Sequence, residues 1–193
     1  MPTMTRRLAA ATLLAGWLAA GAWAADAPRV KFATTAGDFV VEVYPDKAPK
    51  TVANFLQYVR EKHYDGTIFH RVIDRFMIQG GGFDVRMTQK PTRPPVPHEG
   101  RMAYDKGLRN ETGTIAMART SDPDSATAQF YINVANNAFL DPGPGKPGYT
   151  VFGRVVSGMD VVDRIKSVPT GNVGMYSDVP LTPVVIQSAT IVK

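Results

Sequence analysis

The stretch FHRVIDRFMIQGG, Phe69 to Gly81, sets a fixed cation (Arg71), an amide (Gln79) and an apolar pair (Phe76 and Met77) close together in the chain. It has no serine or cysteine to attack a carbonyl, and its one acid, Asp74, sits in a turn-like Asp74-Arg75. Alternation puts Phe69, Arg71 and Ile73 on one face of a strand, and His70 and Val72 on the other. Met77 and Gln79 share a face of the next segment. A hairpin across Asp74-Arg75 would bring Arg71 and Gln79 together beside Phe76 and Met77. On spacing alone, a strand pair carrying a surface arginine accounts for the pattern. If the stretch is a site, its chemistry rests on a hydrogen-bond donor and an apolar wall, with no covalent attack.

The other conspicuous residues supply no rival chemistry. His63, His70 and His98 lack a paired metal spacing, and no cysteine stands near to help them. They read as surface or packed histidines, and no metal or cofactor is expected. Gly80-Gly81-Gly82 is not followed by the GK[ST] of a phosphate loop. It reads as a flexible turn allowing close backbone approach. Asp122-Pro-Asp124 lacks the further oxygen ligands of a calcium loop, and no serine sits in G-x-S-x-G.

A chain of 193 residues, 44% hydrophobic and 20% charged, is in the range of one globular domain. Its formal charge is +5, but the basic residues are scattered rather than massed in a block. A nucleic-acid partner is therefore not expected. Arg6 and Arg7 precede a charge-free run, Leu8 to Ala25, that carries the small-x-small sequence Ala22-Trp23-Ala24. That order is the one a secretory signal shows, with cleavage after residue 24. The rival reading is a membrane anchor, for which the alanine-rich run is weak. Cleavage removes two arginines and no acid, lowering the formal charge from +5 to +3. The mature part, residues 25–193, is expected in the periplasm, with secretion as second choice, free of stable membrane association and monomeric. It has no cysteine to carry a lipid or a disulfide, and it is long enough to bury a core without staples.

Mostly strands are expected to position the opening stretch. VKFATT and DFVVEVY flank a hairpin turn at Ala36-Gly37. Val52, Phe55, Leu56 and Val59 follow the i, i+3, i+4, i+7 spacing of an amphipathic helix, with Pro49 in its first turn and Asp65-Gly66 beyond its end. Val161, Val162 and Ile165 mark a second helix near Gly158 to Ser167, stopped by Pro169. Further strands are expected at Thr67–Ile73, Phe76–Gln79, Thr114–Arg119, Gln129–Val134, Thr150–Val156 and Val184–Val192. Two long loops remain, Gly81 to about Gly113 and Leu140 to Tyr149, and loops of that length are often functional. Many short strands with two helices favour a mainly β fold whose sheet closes, which removes exposed edges.

The opening stretch resembles the signature of the cyclophilins, the peptidyl-prolyl cis-trans isomerases. Ala116-Met117-Ala118-Arg119, SATAQFYI (Ser125 to Ile132), Asn136 to Asp141 and Val151 to Val155 follow in that family's order. The likeness runs from about Val30 to Val192 and is strongest to the exported, periplasmic cyclophilins of Gram-negative bacteria. It implies a closed eight-stranded antiparallel β-barrel capped by two α-helices. It also implies a cofactor-free isomerase acting on proline-containing unfolded or partly folded polypeptides.

Residue by residue, the resemblance makes Arg71 the catalytic arginine, with Phe76 and Gln79 beside it. Met77, Ala118, Arg119, Gln129, Tyr131, Phe139, Leu140 and Tyr149 become the substrate groove. Tyr131 stands where many members have Phe, Phe139 where many have Trp, Tyr149 where many have His, and Arg119 replaces a common Asn. The chemistry fits a site without a nucleophile. Rotation about a peptide bond faces about 18–20 kcal/mol of resonance barrier, and no bond need break. A proline-peptide-binding chaperone module that has lost turnover is the alternative.

Overall fold

The computed structural model describes residues 27–192, so the expected signal segment, 1–24, lies outside the described residues. β1 (Arg29–Thr34) and β2 (Gly37–Val43) alternate as expected, burying Val30, Phe32 and Thr34 on one strand and Phe39, Val41 and Val43 on the other. Their turn falls at Thr35-Ala36, one residue early. Thr34 Oγ1 holds it, accepting from Ala36 N–H at 3.1 Å and donating to Gly37 O at 2.6 Å.

α1 (Pro49–Arg60) buries Val52, Phe55, Leu56 and Val59, the stripe read from the spacing, and adds Thr51 and Tyr58. Its first turn carries no acid of its own. A buried carboxylate from the long loop does that work: Glu99 accepts the N–H groups of Lys50 (3.1 Å) and Thr51 (2.8 Å), and the Thr51 hydroxyl (2.8 Å). The orphan donors and positive end of the helix are thus satisfied from a distant segment.

β3 (Thr67–Ile73) and β4 (Met77–Asp84) are joined by a turn whose Arg75 takes φ +60°. Phe76 belongs to that turn rather than to a strand. The expected turn at Gly80-Gly81-Gly82 is not one: all three glycines lie inside β4. The close approach expected of them is nevertheless real. A Cβ on Gly80 would stand 3.0 Å from the Phe69 ring, one on Gly81 2.8 Å from the Tyr64 ring, and one on Gly82 2.5 Å from the Gln129 side chain.

Then come α2 (Gly100–Asp105), β5 (Thr114–Met117), β6 (Phe130–Asn133), β7 (Val151–Ser157), α3 (Met159–Lys166), β8 (Thr170–Val173), β9 (Tyr176–Pro180) and β10 (Ile186–Val192). The described residues thus hold three α-helices rather than two, with α2 inside the expected loop, and an unforeseen two-stranded sheet, β8–β9.

The eight remaining strands form one antiparallel sheet in the order β10-β1-β2-β7-β5-β6-β4-β3. The edges meet at a single bridge, from Ile68 of β3 to Val185, the residue just before β10. Beside it Gly66 N–H donates to Ile186 O at 2.8 Å and Phe69 N–H to Val184 O at 3.0 Å. The expected closed barrel is therefore a mainly β, curled sheet whose edges touch at one point instead of along a ladder. Its concave side holds an aromatic core. The Phe32 and Phe39 rings stack at 5.0 Å, and Phe130 lies 5.3 Å from Phe32 and 5.4 Å from Tyr64. Such rings bury large apolar areas and prefer these offset and edge geometries. They fix the frame from which the site residues project.

Candidate active site

The register of the β3–β4 hairpin sets Arg71 opposite Gln79 and Ile73 opposite Met77, as the opening stretch implied. Across β4, Gln79 faces Tyr131 of β6. Gln129, one residue before β6, accepts a hydrogen bond from Gln79 Nε2 at 3.0 Å. Three neighbouring strands thereby place Arg71, Gln79, Gln129 and Tyr131 at one end of the sheet.

A small cavity of about 110 Å³ opens there. Sites for drug-sized ligands run to about 300–1,000 Å³, so this one suits a single ring-sized side chain. Phe76, Met77, Tyr131 and Leu140 give it apolar walls. Arg71, Gln79 and Arg119 supply polar groups, and Ala118 and Tyr149 complete the lining. Of the expected groove residues, only Gln129 and Phe139 stand outside that lining. Phe139 is 65% exposed and stacks on Phe76 with ring centres 5.7 Å apart, so it extends the wall outward.

The walls are held from behind by a polar network that the sequence did not announce. The Tyr131 hydroxyl donates to Asn110 Oδ1 at 2.7 Å. Asn110 donates through its backbone N–H and its Nδ2 to Asp141 Oδ1, both at 2.8 Å. Asn137 Nδ2 donates to the carbonyl of Phe76 at 2.8 Å. Burial pushes the Tyr131 hydroxyl well above the ordinary tyrosine range, so it stays a neutral donor. The Leu140–Tyr149 loop is pinned at both ends, with Tyr149 N–H on Leu140 O at 3.0 Å. The Arg119 guanidinium lies over the Tyr149 ring at 4.3 Å and donates to the carbonyls of Gly148 (2.7 Å) and Thr120 (2.8 Å). Its side chain is thus a strut between two loops.

Two features were missed in the sequence. A second, larger recess of about 350 Å³ adjoins the first across Gln79, Ala118 and Arg119, and adds Gln89, Thr92, Ser125 and Thr127. Asp178 of β9 faces Arg71, with Arg71 Nε 3.9 Å from Asp178 Oδ2. Neither carries a local signal, because both arise where segments distant in the chain converge.

Gly82 gives a test of the Gln79–Gln129 pair. An added methyl would collide with Gln129 Cγ and Cδ, both 2.5 Å away, and Gly82 needs no left-handed backbone. Gly82→Ala is therefore expected to fold while displacing Gln129 and freeing Gln79. The loss of one hydrogen bond, about 0.5–1.5 kcal/mol, predicts a roughly two- to tenfold fall in kcat/KM for whatever reaction this site performs. Kinetics measured beside urea unfolding separate that effect from lost stability.

The site is thus an apolar, ring-sized pocket lined also by an arginine and one of two paired glutamines, on a curled antiparallel sheet. Comparison with known proteins identifies the family that carries it. The family profile "Cyclophilin type peptidyl-prolyl cis-trans isomerase/CLD" matches residues 29–191. The chain belongs to this family and is an enzyme of the peptidyl-prolyl cis-trans isomerase type. It is 57% identical over 164 residues to peptidyl-prolyl cis-trans isomerase A of Dickeya dadantii, covering 85% of this chain and 84% of that one. It is 54% identical to peptidyl-prolyl cis-trans isomerase B of Escherichia coli K12, covering 84% and 98%. Among solved structures, the cyclophilin AquaCyp293 from Hirschia baltica superposes with a TM-score of 0.67 at 28% identity, over 86% of this chain and 73% of that one. A cyclophilin from Cryptosporidium parvum, crystallised in the presence of the dipeptide Ala-Pro, shares the fold with a TM-score of 0.68 at 24% identity, over 86% and 99%.

Proposed function

We propose that this enzyme accelerates X-Pro rotation in exported polypeptides as they fold, using Arg71 as the donor to a twisted amide. The supporting observation is the placement of Arg71, opposite Gln79, above a pocket that suits one ring. In the planar amide the proline nitrogen has no free lone pair. As the bond twists, resonance is lost and the nitrogen regains it. A guanidinium N–H aimed at that nitrogen then binds the twisted form better than either planar isomer, and such differential binding is what lowers a barrier. Phe76, Met77, Tyr131 and Leu140 grip the proline ring so that rotation moves the other side of the bond. Gln79, fixed by Gln129, holds a backbone carbonyl or orients Arg71. A roughly 10⁵-fold acceleration asks for about 7 kcal/mol, which a charged hydrogen bond and a positioned ring can share.

The periplasm is the proposed compartment, on the strength of the three-part order of residues 1–24. Cell fractionation combined with N-terminal sequencing tests it, since cleavage after Ala24 leaves Ala25 as the first residue. For the reaction, the decisive measurement is the cis-trans exchange rate of an X-Pro peptide with and without the protein. Binding without faster exchange would instead identify a proline-peptide-binding chaperone module.

A further inference from the structure

The β8–β9 hairpin stands outside the eight-stranded sheet, and β9 runs alongside β3. It is anchored at several points. Val179 is buried, the Tyr176 ring meets Phe83 edge-on at 5.2 Å, and Leu181 N–H donates to Pro169 O at 2.9 Å. From this anchored strand Asp178 presents its carboxylate to Arg71, Oδ2 lying 3.9 Å from Nε. Asp178 takes φ +61°, a left-handed conformation that few residues other than glycine adopt. Among the described residues, neither side chain makes a hydrogen bond, and no other carboxylate is within ion-pair distance of Arg71.

We propose that Asp178 is a positioning residue for Arg71, delivered by a hairpin that otherwise adds little to the core. The inference rests on Arg71 being the donor to the twisted amide. Arginine has a long side chain with many rotamers. A carboxylate beside Nε favours those rotamers that leave both Nη groups free to reach the pocket. At 3.9 Å the contact is one of charge rather than a hydrogen bond. Both side chains are more than a third exposed, so the pair contributes little to stability. What it changes is the fraction of time Arg71 spends aimed at the substrate.

The full-length protein is compared with Asp178→Gly, Asp178→Asn, Asp178→Glu, Arg71→Ala and the Arg71→Ala/Asp178→Gly double variant. Glycine accepts the left-handed backbone, so Asp178→Gly removes the carboxylate without straining the chain. The expected result is an unchanged melting temperature with kcat/KM lowered roughly threefold to tenfold, short of the hundredfold that full misplacement can cause. The loss should fall on kcat more than on KM. Asp178→Asn should match it, Asp178→Glu should recover most activity, and the Arg71 Nε–Hε resonance should shift in Asp178→Gly. In the Arg71→Ala background, Asp178→Gly should have no further effect. Full activity in Asp178→Gly beside an impaired Arg71→Ala overturns the proposal and leaves Arg71 as donor. An equal loss in both backgrounds also overturns it, because the hairpin would then act through the fold. An unimpaired Arg71→Ala removes the reading of Arg71 itself, and this inference with it.

Discussion

Arg71→Ala is expected to yield a folded protein whose kcat/KM for X-Pro isomerisation is lower by roughly 10²–10³, the usual consequence of deleting one preorganised transition-state donor. Stability should barely move. The Arg71 side chain is 43% exposed, and its one charge partner among the described residues is the equally exposed Asp178. Substitutions at such positions usually change stability by about 0.5 kcal/mol or less. Arg71→Lys should recover little, because a flexible ammonium does not reproduce a rigid fork of donors. Activity should be flat across neutral pH, since the mechanism moves no proton. Peptide exchange measured across neutral pH, beside urea unfolding, checks all four statements. A variant that keeps most of its activity would show that the twisted amide is stabilised by other groups.

The neighbouring histidine carries the other large effect, on stability. His70 is 6% exposed, packs its ring 4.6 Å from Phe83 and leaves Nδ1 without a partner. Burial, and then the Arg71 charge, push its pKa down from 6.5 to about 4, with the nearby Ile68 backbone opposing them weakly. The folded protein therefore refuses a proton that the unfolded chain accepts near pH 6.5. Stability is full above that pH and falls as pH drops towards about 4, where the folded state also takes the proton. Each pH unit of displacement is worth about 1.4 kcal/mol, so His70 alone should remove about 3 kcal/mol across this window. That is a large share of the roughly 5–15 kcal/mol that holds a domain together. His63 and His98, lowered first by burial, act in the same direction. His70→Phe keeps a ring against Phe83 and cannot titrate. Unfolding measured at pH 7 and pH 4.5, where titration is not yet complete, should show the wild type losing about 2 kcal/mol more than the variant. Equal losses would mean that His70 is not held neutral.

What was legible in the sequence divides by the range of the interactions involved. α1 and the β3–β4 hairpin are written in local periodicity, and the structure places them where Val52, Phe55, Leu56 and Val59, and the face shared by Met77 and Gln79, indicated. α2 was hidden because GRMAYD is one short turn or two, without a capping side chain, burying only Gly100 and Ala103. β8 and β9 were hidden because TGNV and YSDVP bury only Val179 and Pro180, so no alternation marks them. The triple glycine was misread as a turn because its cause is remote: Phe69, Tyr64 and Gln129 crowd it from other segments. The same holds for the site. Arg71, Phe76 and Gln79 sit in one recognisable stretch. The Asn110–Asp141 brace behind Tyr131 and the Asp178 carboxylate exist only after the chain has closed on itself.

The pairing of β1 with β10 has a consequence for the order of events at the ribosome. Arg29 pairs with Val192 and Thr34 with Ile186, so among the described residues the earliest strand is completed by the latest. Until β10 emerges, β1 has only β2 beside it, and the Ile68–Val185 bridge has no second half. Contacts so distant in sequence must meet their loop-closure cost before they stabilise anything, and topologies of this kind fold in milliseconds to seconds rather than microseconds. The eight-stranded sheet therefore cannot be completed until β10 has been made. A circular permutant that joins the neighbouring ends of β1 and β10 and opens the exposed Met175 turn would make that pair local and let the frame form earlier.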